Sequence, residues 1–186
     1  MIRPWLAIIV AVVVAAPAAV SARAGAPSAG SQEAPAREVR DCRSRGEGRS
    51  PQKLPGARGV RLGPLVLWPS LRTALGGPPS EVNEWPFVVK APVVLPARAR
   101  VVLAIASEAG SLAAFQHRGG FVSAVRFEAC RERVPAFAYR GTVGRYTGFP
   151  FAIGISQRSA CIPMEVWIDG QATPIRRLVP VGRRSC

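Results

Sequence analysis

The chain of 186 residues holds one histidine, two lysines, two methionines and two tyrosines. A lone His117 cannot supply the imidazole set of a Cys/His zinc centre. Asp41 and Asp169 are the only aspartates, and a metal centre needs several convergent His, Cys or carboxylate ligands. No metal and no cofactor is therefore expected. The phosphate-cradling patterns G-x-x-x-x-G-K-[ST] and G-x-G-x-x-G are absent, which removes support for nucleotide binding. The G-x-S-x-G elbow of serine hydrolases is missing too. A Ser-His-Asp triad would have to recruit Asp169 from a tight turn, so His117 is expected as an exposed residue near a hairpin end. Beyond the first twenty residues there is no long apolar run, which argues against a multi-pass membrane protein.

Arginine is what the chain has in excess: 23 against two lysines and 11 acids, for a formal charge of +14. Ala, Gly, Pro and Arg are all abundant, which is what GC-rich codons specify, so codon bias accounts for part of the excess. Such charge speaks to association and not to fold. A hydrophobic content of 48% excludes a wholly disordered chain. The length allows one domain plus a tail.

Residues 1–24 read as a secretory signal. Arg3 precedes the apolar stretch Trp5–Ala16, Pro17 ends its helix, and small residues follow at Ala22 and Ala24. The rival is an uncleaved membrane anchor. Trp5–Val20 would span roughly 24 Å as a helix against roughly 30 Å of hydrocarbon, which favours cleavage. Residues 25–56 are Ala/Pro/Gly/Arg-rich with almost no large apolar side chain, the composition of a flexible, disordered linker. Arg37, Arg40, Arg43, Arg45 and Arg49 fall there and are expected off the folded surface. The folded domain is expected over 57–186, with 16 Arg and Lys90 against seven acids, a net +10.

Cys42, Cys130, Cys161 and Cys186 form an even set behind a signal sequence, so disulfides are the default. Three pairings exist. Cys130–Cys161 with Cys42–Cys186 is the expected one, because Cys130 closes one apolar run and Cys161 opens another.

From Val60 onward, short apolar runs recur about every ten residues between Pro and Gly, the all-β pattern. The runs are Val60–Trp68, Phe87–Val89, Arg100–Ala106, Leu112–His117, Val122–Cys130, Phe151–Ser156, Ile162–Ile168 and Ile175–Val181. They predict an immunoglobulin-like β-sandwich of about seven to eight short antiparallel strands, preceded by the signal helix. Asp169-Gly170 predicts a two-residue type I′ hairpin that faces Trp167 to Ala172 and sets Glu165 diagonal to Arg176. Gly119-Gly120 predicts a second, with His117 opposite Val122.

Two groups of residues could carry chemistry. Glu128 and Glu132 flank Cys130 while Glu165 lies in the Cys161 run, so a Cys130–Cys161 bridge would bring carboxylates together as in a glycosidase. Neighbouring Arg126, Arg131, Arg133 and Arg158 favour solvated ion pairs instead. The segment Tyr139–Phe151 is Gly-rich, aromatic and basic, and reads as a presented binding loop carrying Tyr139, Arg145, Tyr146 and Phe149. Rings interleaved with arginine suit single-stranded nucleic acid, but export turns the expected partner toward the cell envelope.

The stretches Tyr146–Pro150, Arg158–Trp167 and Gly182–Cys186, with Gly63–Leu65 and Arg126–Cys130, resemble a group of uncharacterised exported proteins of high-GC Gram-positive bacteria. That resemblance implies a small extracytoplasmic domain with paired cysteines and no particular activity. The expectation is thus a non-catalytic binding or structural domain, secreted or at the cell surface. Its expected partners are an anionic wall polymer, lipid headgroups or another envelope protein, and not nucleic acid. The alternatives are a carboxylate-dependent hydrolase of wall glycans and a membrane-tethered accessory domain of a larger complex.

Overall fold

The computed structural model describes residues 38–46, 59–67, 75–76, 85–117, 120–131, 134–135, 142–143, 145–183 and 185–186. The signal segment, linker residues 25–37 and 47–56, Glu132 and Tyr139 lie outside them. The strands in chain order are β1 Glu38–Arg40, β2 Val60–Leu62, β3 Leu65–Leu67, β4 Leu75–Gly76, β5 Phe87–Lys90 and β6 Val93–Pro96. Then come β7 Arg100–Ile105, β8 Ala113–His117, β9 Gly120–Val122, β10 Ala124–Glu128, β11 Val134–Pro135 and β12 Thr142–Val143. The last four are β13 Tyr146–Phe149, β14 Ala152–Ile155, β15 Ala160–Ile168 and β16 Ile175–Val181. The all-β expectation holds: among the described residues, only short 3-10 turns at Cys42–Ser44 and Ser107–Ala109 are helical. No helix among them is long and apolar enough to cross a membrane.

The first sheet runs β1-β10-β7-β15-β16, the second β13-β6-β3-β2 and the third β4-β5-β14-β8-β9, with β11 and β12 as a separate ribbon. All pairings are antiparallel except that of β1, which lies parallel to β10 with Val39 opposite Arg126. One core draws on all three sheets, with Leu103, Phe127, Ile162, Leu67, Leu95, Phe115 and Ile153 buried together. At its centre Phe127 meets Phe149 at 5.3 Å and Phe151 at 5.4 Å, and Phe115 meets Phe151 at 5.0 Å. Each such ring buried stabilises the fold by about 1.5–3 kcal/mol. Strand β15 alternates as a half-buried strand does: Ile162, Met164 and Val166 are buried, while Pro163, Glu165 and Trp167 are half-buried.

There are more strands than predicted: β1, β4, β6, β11, β12 and β13 lie outside the expected runs, and two of those runs divide. The run Val60–Trp68 folds back at Gly63-Pro64, where Gly63 has φ 58° and a Cβ would stand 2.8 Å from Ile175 Cδ1. Only glycine takes that conformation and that space at low cost. The run Val122–Cys130 breaks at Ser123, so β9 pairs in the third sheet and β10 in the first.

Both hairpin registers shift by two residues. Glu165 faces Arg176 directly and Val166 faces Ile175, so the connection runs from Asp169 through Pro174. Gly170 has φ 79° but Asp169 does not share a positive φ, and type I′ needs both. The proline at 174 then delays pairing. In the other hairpin His117 faces Gly120, and Val122 faces Phe115.

The disulfides are Cys42–Cys130 and Cys161–Cys186, with Cα separations of 4.8 and 5.7 Å. The expected pairing fails on register. Glu128 lies opposite Arg100 at one end of β7, and Met164 opposite Ile105 at the other. The five steps between those ends already span about 17 Å, and Cys130 and Cys161 extend beyond them, far outside the reach of a disulfide.

Candidate functional site

The linker expectation also fails at residues 38–46, and its failure builds a cleft. This segment adds β1 to the exposed edge of β10, is bonded covalently through Cys42–Cys130, and donates Gly46 N–H to Gly148 O at 2.8 Å. Long-range backbone pairing and a disulfide replace the apolar side chains that the segment lacks. Arg40, Arg43 and Arg45 are thus on the folded domain.

The parallel register places Glu38 opposite Val125 and Arg40 opposite Phe127, so both charged side chains share the face of two buried core residues. Val39, between them, is turned away and 56% exposed. Arg40 Nε donates to Glu38 Oε1 at 2.9 Å, and its remaining nitrogens donate to Gln116 O at 3.0 Å and to Pro150 O. Its guanidinium carbon lies 5.5 Å from the centroid of Phe151. Glu38 Oε2 is shielded from solvent without a hydrogen bond, while His117 Nδ1 stands 3.4 Å away, within ion-pair range. His117 is therefore not the freely exposed residue expected, because β1 packs beside it.

These residues, with Asp41, Arg43, Ser44 and Pro150, line an open cavity of about 600 Å³. Asp41 caps the 3-10 turn by accepting from Arg43 N–H at 2.9 Å, and Ser44 Oγ donates to Asp41 O at 2.9 Å. The hydroxyl is thereby engaged with backbone. Arg40 is spent on three partners. The cleft is a joint that seats β1, with His117 and Glu38 as its one acid–imidazole contact. Nothing but Glu38-Val39-Arg40, two charges two residues apart beside a cysteine, could have signalled it in the sequence.

The other expected site residues scatter. Glu128 faces Arg100 and Glu165 faces Ala104, four residues along β7, so the register holds them roughly 13 Å apart along the strand. The glycosidase-like convergence is not formed by these two. The expected binding loop is not a loop over its second half: Tyr146–Phe149 is β13, paired with β6 from Tyr146↔Pro96 to Phe149↔Val93. Phe149 is 1% exposed and packs on Phe127. Tyr146 is half-buried, and Arg145 is exposed. Alternate residues of a strand in a buried sheet point inward.

Comparison with family models, with curated proteins and with solved structures finds no match. What distinguishes the molecule is the charge of its surface. Among the described residues, Arg43, Arg61, Arg98, Arg100, Arg131, Arg145, Arg158, Arg176, Arg177 and Arg183 are exposed, with Lys90. The exposed acids among these described residues are Glu108 and Asp169. No group of three or more His, Cys, Asp or Glu among these residues could hold a metal ion.

Proposed function

We propose that the protein is a non-catalytic binding domain of the cell envelope, exported by its N-terminal signal and built as an immunoglobulin-like sandwich around one core. Its basic surface takes anionic groups of the envelope. The observation that carries this reading is the imbalance of exposed charge, ten arginines against two acids among the described residues. A surface of that kind raises the local concentration of polyanions and speeds their association. Two disulfides fit an oxidising, extracytoplasmic compartment, where such bonds persist.

The test is retention of the purified protein on an immobilised phosphate-bearing polymer and on an uncharged glycan, across a salt gradient. The expected result is salt-sensitive retention on the first alone. Equal retention on both, or release of sugar from the glycan, overturns the reading and restores the hydrolase.

A further inference from the structure

Cys130 is a junction for four exposed arginines. It is bonded to Cys42, and Arg43 follows Cys42 in the chain. Its carbonyl accepts from Arg98 N–H at 3.0 Å. Its own N–H donates at 2.9 Å to Thr147 Oγ1, the buried polar side chain of the core. Two residues before Thr147, Arg145 accepts through its carbonyl from Ala97 N–H at 2.7 Å. Arg131 follows Cys130 directly. Arg43, Arg98, Arg131 and Arg145 are thus anchored at the backbone to one place, while their side chains reach solvent. None of the four guanidinium groups is in an ion pair with a described residue.

Arg98 adds an independent observation. It is the non-glycine residue with positive φ among the described residues, at 66°. It follows Ala97 in a turn closed by Ala99 N–H to Pro96 O at 3.2 Å. That position of a turn favours glycine or asparagine, and an arginine there is strained. Strain of this kind persists when the surrounding structure over-determines it, as the bond from Arg98 N–H to Cys130 O does here, and such residues cluster at ligand-binding sites. By contrast, Arg176 is paired with Glu108 and Arg177 is bonded to Arg61 O, so the opposite edge spends its arginines internally.

We propose that Arg43, Arg98, Arg131 and Arg145 form the contact site for a linear phosphodiester polymer. Arginine forks match phosphate oxygens in a bidentate manner, and several unpaired ones on an open surface suit a repeating anion better than a small one. The site names the ligand class of the binding surface and rests on the envelope-binding reading above.

The experiment measures binding of the full chain to poly(glycerol phosphate), to polyglutamate and to phosphatidylglycerol vesicles. Arg98→Gln/Arg131→Gln/Arg145→Gln should weaken polymer affinity about tenfold or more and flatten its salt dependence by about one unit of slope for each arginine replaced. Arg158→Gln/Arg177→Gln/Arg183→Gln removes equal charge elsewhere and should weaken it less than about threefold. Arg98→Gly isolates the strained side chain: its thermal midpoint should rise while its polymer affinity falls. Equal weakening by both triple variants overturns the site and leaves the envelope-binding reading standing. Equal affinity for polyglutamate overturns phosphate recognition, and preference for the vesicles overturns the polymer. No salt-sensitive binding to any probe by the unaltered protein overturns both readings.

Discussion

Trp85 and Phe121 close over Gly154, with ring centroids 6.1 Å apart and an interplanar angle of 54°. A Cβ at Gly154 would stand 2.6 Å from Trp85 Cγ and 2.6 Å from Phe121 Cε1. Gly154 sits in β14 between Val88 of β5 and Ala114 of β8, so an added methyl group has both rings against it within a paired sheet. Gly154→Ala should therefore destabilise the fold by about 1–3 kcal/mol through overpacking. Adding Trp85→Ala to it should recover part of that loss, because the clash goes with the ring. Denaturant midpoints of the two variants check this.

The two disulfides should differ in worth. Cys42–Cys130 spans 88 residues and Cys161–Cys186 spans 25. Loop-closure entropy assigns them about 4.6 and about 3.5 kcal/mol before native strain is subtracted. Cys42→Ala/Cys130→Ala should thus lower stability more than Cys161→Ala/Cys186→Ala. It should also expose residues 38–46 to protease, since the segment is then held only by backbone pairing and the side chains of Glu38, Arg40 and Arg45. Non-reducing peptide mapping of the unaltered protein should return the same two pairs.

What the residues disclosed locally, and what they hid, follows one physical line. The inner strands β7, β10 and β15 carry enough apolar or alternating residues to be read directly, and the all-β class with them. The bridges were not legible, because register between strands distant in the chain decides which ends meet. Residues 38–46 were hidden for a related reason: only Val39 is a large apolar residue there, and it faces solvent. Pro92 and Pro96 disguised β6, and Gly148 with Pro150 disguised β13, as loop sequence. At the proposed site, Arg145 was legible as a basic residue in a Gly-rich stretch. Arg98 was not, since its significance lies in a backbone angle.

Arg40 should prove to be the side chain that seats β1. It bonds Glu38 and two carbonyls from a position only 14% exposed at the side chain. Arg40→Met should cost about 2–3 kcal/mol, from the loss of charge-assisted bonds and a carboxylate left without its cation. Arg40→Lys should recover less than half, because an ammonium cannot reach three acceptors in the guanidinium fork geometry. A double-mutant cycle with Glu38→Gln should give a coupling of about 1 kcal/mol. Absence of coupling would mean that the two side chains act independently.

The free edge of β16 is guarded by charge. Ile175, Arg176, Arg177 and Leu178 are all exposed, with Ile175 at 37% and Leu178 at 54%. Arg176 meets Glu108 and lies 4.0 Å from Glu165 Oε1, but at about half exposure such pairs stabilise by at most about 1 kcal/mol. Arg176→Ala should accordingly leave the unfolding midpoint nearly unchanged. The role of the two arginines is against association: an exposed edge strand is a template for another chain unless charge interrupts it. Arg176→Val/Arg177→Val would make five consecutive apolar residues, from Ile175 to Val179, on that edge, the composition of a self-pairing segment. The variant should keep its monomer fold at low concentration and form dimers or larger species as concentration rises. Light scattering during size-exclusion chromatography reads this, and a monomer at every concentration would show that Pro174 and Pro180 protect the edge without help from the arginines.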